Sequence, residues 1–121
     1  METVVLVFER QKLTFHDLEN LVEERSWLSE NKKCLIIGDS DDRHLFIVRV
    51  AESDAEGIFE DWPHSMIPIG DYSVFAVDYR SREFATRVVR EMAVTVDMLV
   101  DTNYGEIVRG SQLSAEHLVP R

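Results

Sequence analysis

A single cysteine, Cys34, stands in 121 residues. A lone thiol excludes an intrachain disulfide and suits a reducing compartment. Long apolar runs are missing as well: nothing approaches the ~20 apolar residues of a membrane span. The run from Val4 to Phe8 is too short for a secretory hydrophobic core and has no basic residues ahead of it. These absences predict a cytoplasmic protein with no membrane partner. Positive charge is the next shortage, with 13 Lys and Arg against 23 Asp and Glu, a net charge of −10 and a pI near 4.7. A field of that sign repels nucleic acid and speeds encounter with basic partners.

The residues that carry chemistry are equally sparse. Gly38, Gly57, Gly70, Gly105 and Gly110 are scattered, so no phosphate cradle forms. His16, His44, His64 and His117 show neither an HExxH pattern nor a paired spacing for zinc. No serine sits in a GxSxG elbow, and Cys34 opens an apolar strand, where an inert thiol is expected. The acids Asp39, Asp41 and Asp42 invite a calcium-loop reading, but the sixth position is His44 and the twelfth is Val50. The sequence therefore predicts no catalytic residue, no metal and no cofactor.

What is present reads as one α+β domain. Residues 4–9 form a β-branched, apolar strand. Thr14 with Asp17 makes a variant capping box, and Phe15, Leu18, Leu21, Val22 and Leu28 follow at helical spacing, predicting a helix that fades near 29–31. Strands are expected at 34–37 and 45–50, joined by a turn at 39–42. The order then recurs: a strand at 72–79, a helix capped by Ser81 that carries Phe84, Val88, Val89 and Met92, strands at 96–100 and 106–109, and a turn at 102–105. The expected product is a mostly antiparallel sheet of about six strands from two βαββ halves, 1–50 and 71–110, with two main helices packed on one face. Duplication and chance recurrence both explain the repeat.

The connection at 51–70 is long for a compact domain. Ser53 with Glu56 predicts a short capped helix with Ile58, Phe59 and Trp62 on its apolar side, stopped by Pro63. Acidic and large apolar residues alternate there, so the segment reads either as a binding surface or as a lid in which Phe59, Trp62, Met66 and Ile67 cap the core. Arg80, Arg82, Arg87 and Arg90, interleaved with Glu83 and Glu91, predict a salt-bridged helix face, or one that docks the acids of the first half or of a second subunit. The final Leu118, Val119, Pro120 and Arg121 match what thrombin leaves at its usual engineered site, which predicts a domain of 1–117 followed by an expression scar.

In size, charge and its acidic-plus-aromatic segment the chain resembles the small acidic immunity proteins that bacteria keep against their toxins. That resemblance implies a stoichiometric, non-enzymatic binder of a basic toxin domain. Steering acids and a buried aromatic anchor would serve it, and the candidates are Asp39, Asp41, Asp42, Asp54, Glu56, Glu60, Asp61 and Trp62. The paired modules also resemble, in architecture alone, the vicinal-oxygen-chelate group of metal-dependent small-ligand domains. Glu9, His44 and Glu106 are the strand-borne acids and histidine that this second resemblance would use.

Overall fold

Five consecutive apolar residues, Val4, Val5, Leu6, Val7 and Phe8, are all buried although alternate side chains of a strand point to opposite faces. A strand of that kind must be covered on both sides. The computed structural model, which describes residues 2–39 and 43–119, shows how. Strand β1 (Glu2–Glu9) pairs antiparallel along its whole length with β5 (Tyr72–Tyr79) at the centre of the sheet. Outside β5 lie β4 (His44–Arg49), β3 (Cys34–Gly38) and β2 (Ser26–Leu28); outside β1 lie β6 (Leu99–Asp101) and β7 (Ile107–Arg109). Among the described residues this is one antiparallel sheet of seven strands, in the order β2-β3-β4-β5-β1-β6-β7.

Among the described residues three α-helices complete the α+β architecture: α1 (Phe15–Glu19), α2 (Glu52–Phe59) and α3 (Arg82–Thr95). On the first face, Phe84, Ala85, Val88, Val89 and Met92 of α3 pack with Leu6, Phe8, Leu35, Ile47, Phe75 and Val77, and Leu18 of α1 joins them. Ser81 caps α3 by accepting a hydrogen bond from the Phe84 amide at 3.1 Å. On the second face, Ala55 and Phe59 of α2 pack with Trp62 over Val5, Val7, Val74 and Leu99. The two main helices expected from the sequence, α1 and α3, therefore share the first face, and the short α2 covers the second.

The sequence expectations for 4–9, 34–37, 45–50, 72–79 and 106–109 correspond to strands, and the seventh strand comes from a region expected to be helical. The Thr14–Asp17 capping box forms, with the Asp17 amide donating to Thr14 Oγ1 at 3.2 Å and the Thr14 amide to Asp17 Oδ2 at 2.8 Å. The helix nevertheless ends after Glu19, with Asn20 as its C-cap, and Ser26, Trp27 and Leu28 pair with Ile37, Ile36 and Leu35. The open edge of β3, whose amides and carbonyls need partners, outweighs the helical spacing. In α2 the N-cap is Ala51 without a side-chain cap, and Ser53 lies inside the helix.

The two halves are not equivalent in the sheet. β4, the second strand of the first hairpin, borders the central pair, whereas β6, the first strand of the other hairpin, borders it on the far side. Gly38 closes the β3–β4 turn at φ +128°, and a Cβ there would meet the Arg43 carbonyl oxygen at 1.9 Å. Leu118, in the segment read from the sequence as an expression scar, is fully buried in the first-face core and ends a 3-10 turn, Ala115–Leu118. Pro120 and Arg121 lie outside the described residues.

Candidate functional site

Helix α2 carries two chemistries on its two sides. Ala55 and Phe59 face the sheet, while Asp54, Glu56 and Glu60 are exposed, with Asp61 following them. None of these four carboxylates is ion-paired with another described residue. Glu52, at the start of the helix, differs: it pairs with Lys12, which holds its carboxyl below the ordinary range.

Trp62 is a correction to the sequence reading. It is 4% exposed and so offers no surface anchor. Its ring meets Phe59 edge-on at 5.0 Å, and its indole Nε1–H donates to Asp101 Oδ2 at 2.9 Å. Phe59 also stands edge-on to Tyr72 at 5.5 Å. Phe59, Trp62, Met66 and Ile67 all belong to the second-face cluster, which is the lid role the sequence left open.

The acids do not form one surface. Asp39 is exposed at the end of β3, beside the β3–β4 turn, and Asp41 and Asp42 lie outside the described residues. The helix with Asp54 and Glu56 follows the opposite end of β4, a strand of six residues, about 20 Å away along its axis. What the structure does bring together is α2 and the β6–β7 turn. Between them opens a cleft of about 750 Å³ lined by Asp61, Trp62, Pro63 and Met66 on one side and Asp101, Asn103 and Glu106 on the other.

The β6–β7 side of the cleft is tightly organised. Asn103 and Gly105 take positive φ values of 65° and 85°. The Asn103 amide donates to Asp101 Oδ1 at 3.0 Å, its side-chain nitrogen to the Thr3 carbonyl at 2.7 Å, and Thr102 Oγ1 to the Glu106 carbonyl at 3.1 Å. Glu106 stands 3.8 Å from His117 Nε2. Both Asp101 oxygens accept hydrogen bonds, one from Trp62 and one from Asn103, so this carboxylate is fixed in place. Sequence reasoning missed Asp101, and only the alternation in β6 could have placed it with Leu99 on the second face beside α2; Glu106, named among the ligands of the metal-dependent resemblance, lines this cleft instead.

The basic stripe of α3 reaches other elements rather than its own neighbours. Arg87 pairs with Glu24, Arg82 Nε lies 3.6 Å from Glu2, and Arg90 donates to the Leu113 carbonyl at 3.4 Å. The helix thus docks acids of the first half, the second of the two sequence readings. Cys34 is half-buried, and burial raises its thiol pKa. Among the described residues no three His, Cys, Asp or Glu side chains are placed to hold a metal ion, and Glu9 and His44 sit toward opposite ends of the sheet. No protein-family model matches the chain, and no curated protein or solved structure matches it either.

Proposed function

We propose that the protein is a non-enzymatic binding module, an immunity protein that captures a basic toxin domain on the carboxylates of α2 and the adjoining cleft. The observation that supports this reading is that Asp54 and Glu56 of α2, and Glu60 and Asp61 of the turn that follows it, stand exposed without a cationic partner among the described residues, while the other side of the helix is fastened to the core. Unpaired acids on a rigid helix attract lysines and arginines from another protein without first breaking an internal pair. The cleft beside them has one wall fixed by Asp101 and can receive a basic side chain between Asp61 and Asp101. Rim charges of this kind set the association rate more than the lifetime of the complex.

The test uses the product of the gene adjoining this one in its genome of origin as the binding partner. Replacing Asp54, Glu56, Glu60 and Asp61 with lysine is expected to slow association and flatten its dependence on salt while leaving the fold intact. Unchanged association by a folded quadruple variant would refute the assignment of this surface. The absence of any complex with the adjoining gene product would refute the immunity reading itself.

A further inference from the structure

The second face of the sheet is covered only in part. Helix α2 and Trp62 lie over Val5, Val7, Val74 and Leu99 on the central strands, and among the described residues no helix packs over the same face of β2, β3 and β4. Register places Trp27, Ile36, Phe46 and Asp78 in one row across β2, β3, β4 and β5, with Cys34, Val48 and Ala76 in the next row. Trp27 is 41% and Val48 39% exposed. An apolar sheet face with an indole at its edge is a signature of an interaction surface rather than of a solvated one.

The charges around this face are arranged in opposite senses at its two sides. At the β2 side stand Arg25, whose guanidinium lies 5.3 Å from the Trp27 ring, and the β2–β3 turn, where the exposed Lys32 and Lys33 outnumber the exposed Glu30. At the β5 side stand Asp78, which accepts a hydrogen bond from Thr3, and then the carboxylates Asp54, Glu56 and Glu60 of α2. A basic margin on one side and an acidic margin on the other make the face complementary to itself.

We infer that this face docks a second copy of the chain. A two-fold axis between the copies, running along the strands midway between β3 and β4, sets β2 of each copy over β5 of the other. Trp27 then meets Asp78 of the second copy, and its indole N–H gains a carboxylate acceptor. Stacked sheets and a helix on a sheet both stand about 10 Å apart, so α2 of one copy lies in the layer of the other copy's sheet. There it abuts the open β2 edge, level with the turn that holds Lys32 and Lys33. The carboxylates of α2 meet that basic turn, and the exposed edge strand is covered. The apolar strip spans three interstrand gaps, about 14 Å, by two rows about 7 Å apart, so it covers at most roughly 300 Å², less than the ~800 Å² a side of a stable interface. The dimer is accordingly a weak, micromolar one. This inference stands apart from the toxin-binding reading, although a toxin on the α2 acids would compete with it.

Sedimentation equilibrium of the purified chain from about 5 to 500 µM tests it. The expected result is a monomer–dimer equilibrium, with Trp27 emission shifting to the blue and Cys34 labelling slowing as concentration rises. Trp27→Thr, at an exposed position of a three-residue edge strand, is expected to weaken dimerisation about thirtyfold or more without lowering the melting temperature. Reversing Arg25, Lys32 and Lys33 to glutamate, or Asp54, Glu56 and Glu60 to lysine, is expected to weaken it in each case, and combining both sets in one chain to restore it. A wild-type monomer at the highest concentration would overturn the inference. So would a dimer insensitive to Trp27→Thr, or failure of the combined reversal to restore association.

Discussion

Replacing Trp62 with alanine separates a core role from a surface role in one measurement. The side chain is 4% exposed, packs edge-on against Phe59 and donates its only polar hydrogen to Asp101 at 2.9 Å. Truncation removes a buried indole, leaves a cavity between α2 and the sheet, and deprives Asp101 Oδ2 of its donor. Large aromatic-to-alanine changes of this kind cost about 3–5 kcal/mol, which for a domain of this size lowers the melting temperature by roughly 10–20 °C. Trp62→Phe keeps most of the packing and loses the hydrogen bond, so its expected cost is about 1–2 kcal/mol. Urea denaturation followed by circular dichroism gives both values, and a double-mutant cycle with Asp101→Ala isolates the hydrogen bond as a coupling of about 1 kcal/mol or more. An alanine variant within about 0.5 kcal/mol of wild type would refute the placement of Trp62 in the core. Zero coupling would refute the Trp62–Asp101 bond.

Tyr79 is fully buried with no hydrogen-bond partner for its hydroxyl among the described residues, and burial, with the Glu2 charge second, raises its pKa. The phenol stays neutral in the native state while it ionises in the unfolded one, so stability holds below pH 10 and then falls by about 1.4 kcal/mol per pH unit. Tyr79→Phe is expected to be neutral or stabilising at pH 7 and to lessen that alkaline loss in pH-dependent denaturation. Leu118→Ala is expected to cost about 2–5 kcal/mol, because Leu118 is fully buried; a scar residue would cost nothing. Thr14→Ala is expected to cost about 1 kcal/mol and to raise the Asp17 carboxyl from its depressed pKa, a change visible by NMR titration. In wild type that contribution is present above the unfolded carboxyl value and is lost as pH falls through the depressed one.

Local signals were legible wherever one element satisfied its own requirements. Ser81 and Thr14 each bind the amide three residues on, and α3 needed only its 3.6-residue stripe to be read. Legibility failed where a remote partner decided the outcome. Leu21, Val22 and Leu28 fit a helical stripe, yet the unpaired edge of β3 draws Ser26, Trp27 and Leu28 into a strand. Trp62 looked like an anchor because it lies among acids in the sequence. Its indole has its acceptor 39 residues away on β6, and no local pattern announces such a pair. The same limit hid the second face: nothing in the composition of residues 26–28, 34–38 and 44–49 says that α2 stops short of them.

Two groups of the chain's acids have different physical roles. Glu2, Glu9, Glu24 and Glu52 are matched by Arg82, Arg109, Arg87 and Lys12, and they tie together parts of the chain that lie far apart in sequence. These pairs sit on exposed ground, where each contributes little to stability. Asp54, Glu56, Glu60 and Asp61 are unmatched among the described residues and are held on a helix that Ala55, Phe59 and the adjoining Trp62 fasten to the sheet. Like charges on one helix repel one another, and only a partner that supplies cations turns that repulsion into attraction. On the binding reading proposed above, a helix that covers the core on one side and keeps unmatched acids on the other would serve contact with a basic surface. The Lys32–Lys33 turn of a second copy and a basic toxin domain are the two surfaces that would compete for it.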